Sequence, residues 1–440
     1  MTASLAPSDA ARKPRCPARR WRPLAGLARL ARRALRRRLQ AALHYLPDVV
    51  AFCGALLFAG LAALLTGSLG GCGGGVGSEG TGSFASGSFA SGTITGYGSI
   101  IVNGVHFDES TATLLDDEGQ AVARSALALG MVVQVHAGPI STAADGSSVA
   151  QASSVRTQRA LVGPVEAVDV AGGRLRVLGQ TVLVAGDTVF DERLNGGLAA
   201  LLPGQWLEVY GFYNPGAPGF AASRVAASGP SAGLRVSGTV AAVDAQARSF
   251  QLGSQTYSIG ALGSNPAVNA VVMLKLQQPG TDAQGRWVVS GQQTEERAPK
   301  DSAGAKLDGL VSQVLSSTRF VADGVTVDSS AARVSGNVQV GAKVQVSGTL
   351  RAGVLLATEV EASTEKLRTY ELNGSLSKLD TSRRRFVLRG TTVSYARSDV
   401  VFDNGTAARL AGYTGSLKVE GVLSVDRTAV EATRIRFNGN

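Results

Sequence analysis

The feature that most constrains this chain is a repeat. Five times it opens a run of alternating apolar and polar residues on a glycine, at Gly96, Gly163, Gly238, Gly309 and Gly374, at intervals of 67, 75, 71 and 65 residues. Period-2 alternation places every second side chain on one face of a strand. Each opening run is followed by a second short run and a glycine turn: Asn103-Gly104, Leu178-Gly179, Leu252-Gly253, Asp323-Gly324 and Arg389-Gly390. Asn-Gly and Asp-Gly are strong signals for two-residue hairpins, because both central positions need positive φ. A second cue comes later in each unit. Gly130 precedes Val133 and Val135, Gly204 precedes Leu207 and Val209, and Gly341 precedes Val344 and Val346. Unit three has Asn269 at that position and unit five has Thr414. Asparagine tolerates the left-handed conformation and threonine does so poorly, which leaves the unit-five turn open.

These patterns predict an all-β chain of about five tandem small antiparallel β-barrels, with five to six short strands in each. Closing a sheet of that size removes its exposed edges. The expected units are 93–159, 160–230, 231–296, 304–364 and 368–440. Short helical turns are expected near Ser125 to Leu129 and Leu198 to Leu202.

The first unit resembles the bacterial domain-of-unknown-function family DUF5666. The resemblance rests on the stretch SIIVNGVHFDESTATL and the strand LGMVVQV. It is close over residues 94–156, and later units keep the spacing more than the letters. It implies a small OB-like barrel, often found in tandem on lipoproteins, and brings no assigned activity.

Before the repeats lies an apolar run, Val49 to Leu69, ending in Leu69-Gly70-Gly71-Cys72. These four residues resemble the lipobox of bacterial lipoproteins. The resemblance implies diacylglycerol on the Cys72 sulfur, cleavage between Gly71 and Cys72, and acylation of the new amino terminus. A thiol suits that chemistry because its thiolate is a strong nucleophile, and several acyl chains together make a stable anchor. The run is also long enough for a transmembrane helix, which needs about 20 residues. Small residues at its end favour cleavage instead. Gly73, in place of aspartate, implies transport to the outer membrane in that family. Residues 72–92 are expected to form a tether, rich in Gly and Ser and carrying Ser83-Phe84-Ala85-Ser86-Gly87 twice in succession. A flexible Gly/Ser chain of about 20 residues reaches roughly 25 Å.

Charge follows the same division. The formal net charge is +10, and residues 1–71 hold twelve Lys/Arg against Asp9 and Asp48, which accounts for all of it. The basic leader can orient the apolar run positive-inside. It is longer than an ordinary signal, so a downstream translation start is one explanation. The remaining chain is neutral and aromatics are only 5% of the whole, so nucleic acid is not expected as a partner. Cys16 and Cys53 precede the cut, so the mature chain keeps Cys72 alone and no disulfide is expected.

Catalytic signals are absent. The sequence has no phosphate-binding loop and no Cys/His pair, so no enzyme and no cofactor beyond the lipid on Cys72 is expected. His106 and Asp108 share one strand face, but a metal site wants three or four ligands, and none is expected. Asp116-Asp117-Glu118-Gly119 lacks the alternating acids of a calcium loop and reads as a solvated turn. One stretch stands out: Trp206, Tyr210 and Phe212 alternate with Leu207 and Val209, and Tyr213 follows. With the valine face inward, these aromatics point outward. They then pack on a neighbouring unit or form a surface for an envelope protein or polysaccharide. The sequence therefore predicts a protein held to the outer membrane by its lipid, with a structural or binding role.

Overall fold

The computed structural model describes residues 87–260, 262–294, 301–363 and 368–439. All of them fall in one compact unit, Thr81–Asn440. The leader, Gly71, Cys72 and the tether as far as residue 86 lie outside the described residues.

Each of the five units closes on itself in the same order. In unit one the main strands are Ser88–Tyr97, Ile100–Val102, Val105–Asp108, Val132–Ala137 and Ser148–Gln158. The first pairs antiparallel with the second and the fourth, and the second with the third. The third runs parallel to the fifth, and the fifth is antiparallel to the fourth. The circuit 1-2-3-5-4-1 is thus complete, a small OB-like barrel. Units two to five repeat it, each with one parallel rung between third and fifth strands. Only short 3-10 turns occur as helix among the described residues, including Arg124–Ala126 and Gly197–Ala200, where the sequence predicts helical turns.

The first hairpins form as the sequence chemistry requires. In four units both central residues have positive φ: Asn103 and Gly104, Leu178 and Gly179, Asp323 and Gly324, Arg389 and Gly390. The second cue holds at Gly130, Gly204, Asn269 and Gly341, all left-handed. In unit five the left-handed residue is Gly412, not Thr414, so the turn comes two residues earlier and Thr414 is spared that conformation.

Two expectations need correction at the start of the array. The first strand begins at Ser88, so residues 88–92 belong to the barrel and not to the tether. And the glycine equivalent to the other four is Gly92, not Gly96. Gly92 lies opposite Val133, as Gly163 lies opposite Leu207, Gly238 opposite Val272, Gly309 opposite Val344 and Gly374 opposite Leu417. The position is held by close approach. A Cβ on Gly163 would sit 2.9 Å from Leu178, and one on Gly92 2.5 Å from Asn103 Oδ1, each a left-handed turn residue lying over the strand.

The barrels are joined laterally. Ser88–Ser91 pair in parallel with Gly304–Leu307 of unit four, while Gly96 and Tyr97 pair with Glu371 and Leu372 of unit five. One strand therefore serves three units, and nearly all of it is buried. Leu161 and Val162 of unit two pair with Val236 and Arg235 of unit three. The cores follow these joins. Units one and five share one core that also takes Val189 and Tyr210 from unit two. Units two and three share another, and unit four has its own.

Candidate functional site

A cleft of about 500 Å³ opens where units one, two and five meet. That volume is ordinary for a small-ligand site. Its floor is the outer face of the unit-two hairpin Trp206–Asn214 and Gly219–Ala227. Tyr210 stands opposite Arg224 on neighbouring strands, and Glu208 stands opposite Ala226, so all four line one face. Unit one supplies a wall through Tyr97, Leu129 and Arg159, and unit five through Arg389 and Thr391.

Hydrogen bonds across the joint hold this geometry. Ser223 Oγ donates to the Gly130 carbonyl at 2.7 Å, and Arg224 Nη1 donates to the Leu129 carbonyl at 3.0 Å. Within unit one, the Leu129 amide donates to the Tyr97 hydroxyl at 2.5 Å. The Phe190 amide donates to the Arg427 carbonyl of unit five at 2.9 Å.

Most charges in the walls are answered locally. Arg159 forks onto Asp117, and Arg193 pairs with Asp191 at 2.8 Å. Burial alone would raise the Asp191 pKa, but the hydrogen bonds from Arg193 and the charge of Arg224 outweigh it and hold it low. Glu208 is different. Burial pushes its pKa up, and the nearby Arg159 and Arg224 charges only partly offset this. Its nearest partners are distant: the Tyr210 hydroxyl at 3.4 Å and Arg159 Nη1 at 3.8 Å. Arg224 Nε is buried with no protein partner. Burial raises the pKa of Tyr97 and Tyr210, so both phenols are neutral donors.

The Glu208 shift has a sign that can be tested. A carboxyl whose folded pKa exceeds its unfolded value of about 4.3 takes up a proton more readily in the folded state, so stability falls as pH rises through that window. Glu208→Gln removes the buried charge. It is expected to raise the unfolding midpoint at pH 7 and to change it little at pH 4, as read by thermal melts across pH.

The structure separates the four outward aromatics. Tyr210 is only 3% exposed and belongs to the core shared by units one and five, against which Phe212 also packs. Trp206 and Tyr213 pack instead on the core of units two and three, with Tyr213 edge-on to Phe220 at 5.3 Å. Packing on other units describes Tyr210 and Phe212, which meet the core shared by units one and five, while Trp206, Phe212 and Tyr213 stay half-buried. The sequence missed Arg159 and Arg224, whose roles depend on contacts between units.

The acidic turn is corrected as well. Asp117 is buried and paired with Arg159 and Arg235, while Glu118 pairs with Arg235 and Lys275 of unit three. It is an ion-paired joint, not a solvated turn. His106 and Asp108 share the strand Val105–Asp108, with Asp108 exposed and accepting from the Ser110 amide at 2.9 Å. Among the described residues no group of three or more His, Cys, Asp or Glu is placed to hold a metal ion.

Fold and cleft together define a class, a tandem array of OB-like barrels with a ligand-sized space between them. The model of the family described as Domain of unknown function (DUF5666) matches residues 91–152, 162–226 and 308–361, in units one, two and four, so these three units are similar to that family. Units three and five share the strand order without matching the model. No curated protein matches the chain. Among solved structures, a Drosophila chain titled "drosophila Unr CSD456" matches at 12% identity. It covers 47% of this chain and 98% of that one, with a TM-score of 0.14, too slight a likeness to carry an argument.

Proposed function

We propose that this chain is a lipid-anchored protein of the bacterial outer membrane, whose joined barrels form a platform for binding an envelope component. The anchoring half rests on Leu69-Gly70-Gly71-Cys72 at the end of the apolar run. The binding half is carried by one observation: a cleft of about 500 Å³ opens between units one, two and five, with the Glu208 carboxylate on its floor held by no partner closer than 3.4 Å. A concave site built from three units suits a small ligand or one residue of a polymer better than a flat protein surface. The proposal includes no catalysis, no cofactor other than the lipid on Cys72, and no nucleic acid.

The test is the intact mass of the protein extracted from isolated membranes, beside a Cys72→Ser variant. A mature terminus at Cys72 carrying acyl mass, with the variant uncut and unacylated, is the expected result. An uncut wild-type chain without lipid would make the apolar run a membrane-spanning anchor and end the lipoprotein reading.

A further inference from the structure

We infer that the first hairpin of unit five is a docking tip for an anionic phospholipid surface, an inference that rests on the membrane anchoring proposed above. The hairpin joins the strands Tyr370–Asp380 and Arg385–Leu388. The eight residues that end on the first residue of its second strand, 378–385, carry four cations (Lys378, Arg383, Arg384 and Arg385) and one acid, Asp380. The repeat supplies its own comparison. The same eight positions are 93–100 in unit one, 167–174 in unit two, 242–249 in unit three and 312–319 in unit four. Units one, two and three have no net charge there. Unit four has one excess cation, Arg319, which Asp328 meets at 3.8 Å. The hairpin therefore folds without the charge, and three adjacent arginines repel one another. Something other than the fold uses them.

The one acid of the tip is already engaged within it. Asp380 accepts from the Ser382 hydroxyl at 2.6 Å, the Arg383 amide at 2.9 Å and Arg383 Nη1 at 3.0 Å. Lys378, Arg384 and Arg385 are exposed and form no ion pair among the described residues. Asp426, in the second hairpin, feels the charge of Arg385 without pairing to it. Thr381 and Ser382 are exposed as well, so the tip is a projection and not a pocket. Such a shape suits an extended layer of negative charge better than a small anion. Each Lys or Arg brought to an anionic membrane strengthens its docking about fivefold. Cys72 lies fifteen residues before Gly87, a separation that a Gly/Ser chain spans in roughly 20 Å. An anchored chain thus holds the tip near lipid headgroups at high local concentration, whereas a soluble polyanion has to be recruited.

The test uses the whole protein, extracted from membranes and reconstituted into vesicles. An environment-sensitive fluorophore is placed on the tip through Thr381→Cys and on the equivalent exposed tip of unit three through Ala245→Cys. Unsubstituted protein gives the background from native cysteines. In vesicles of phosphatidylethanolamine and phosphatidylglycerol at low salt, the label at position 381 is expected to shift to the blue as it meets lipid. The shift is expected to vanish in phosphatidylcholine vesicles and in about 0.5 M sodium chloride, where screening cuts the reach of charge to about 4 Å. The label at position 245 is expected to stay in water throughout. Arg384→Gln together with Arg385→Gln is expected to lower the ratio of docked to free tips about 25-fold. The comparison of lipids and salts keeps every tip charge, so it stands if the double variant fails to fold. No shift with phosphatidylglycerol, an equal shift in neutral vesicles, a shift that survives high salt, or a folded double variant that docks as before would each overturn the inference. So would a label that responds to dissolved heparin and not to anionic lipid, which would assign the tip to a soluble polyanion. Either an acylated Cys72 or an uncut apolar run would hold the chain to the vesicle, so failure of the tip and failure of the lipid anchor are read separately.

Discussion

Replacing Asp117 by alanine is expected to cost about 3–5 kcal/mol of folding stability, the range for removing one partner of a buried ion pair. The Asp117 side chain is 2% exposed. Arg159 Nε reaches its two oxygens at 3.1 and 3.0 Å, and Arg235 Nη1 approaches at 3.6 Å. Both arginine side chains are 12% exposed. Removing the carboxylate leaves two guanidinium groups in a joint where water cannot fully replace it. Asp116 and Glu118 remain, each held to one of those arginines, and set the lower end of the range. A solvated turn would instead give a change within about 0.5 kcal/mol. Chemical denaturation separates these outcomes, and a loss below about 1 kcal/mol would remove the joint from any structural role.

Tyr370→Ala is expected to cost a similar amount, about 3–5 kcal/mol, as for other large aromatic truncations in a core. Tyr370 is 1% exposed and lies in the core shared by units one and five. Its hydroxyl donates to the Asp187 carbonyl of unit two at 3.0 Å. Asp187 is also the meeting point of Lys343 from unit four and Arg368 from unit five. The truncation therefore opens a cavity in one core and removes a bond to a third unit. Tyr370→Phe separates the two effects, since it keeps the ring and loses only the hydrogen bond, worth about 1 kcal/mol. Matched losses in the two variants would mean that the ring packs loosely, against the burial seen here.

Local chemistry was legible in the sequence. The alternation, the first hairpin turns and the left-handed Gly130, Gly204, Asn269 and Gly341 depend on a few neighbouring residues, and all of them form. What escaped reading depends on partners far along the chain. Ser88-Phe89-Ala90-Ser91-Gly92 has the composition of a linker. It becomes a strand because the fourth strand of its own barrel lies on one side and unit four on the other. Small residues suit so crowded a position. Gly92 in particular leaves room for Asn103 and for Asp308 of unit four.

The site was half legible for the same reason. Outward-facing aromatics in unit two marked the face that matters, because an apolar outer face needs something to cover it. Tyr210 and Phe212 meet the core of units one and five, which the chain brings there from far along the sequence, while Trp206 and Tyr213 pack on the core of units two and three. The acidic turn misled because three acids in a row commonly mean solvent. Its arginines come from residue 159, at the end of unit one, and residue 235, in unit three.

The joining of the barrels is open to native-state hydrogen exchange under increasing denaturant, which reports the opening free energy of each segment. Because units one and five share a core, peptides covering Ser88–Tyr97 and Ala429–Asn438 are expected to open together, with one free energy and one denaturant dependence. Opening of Ala429–Asn438 at clearly lower free energy, with Ser88–Tyr97 still fully protected, would show five separate barrels on a string and contradict the shared body described here.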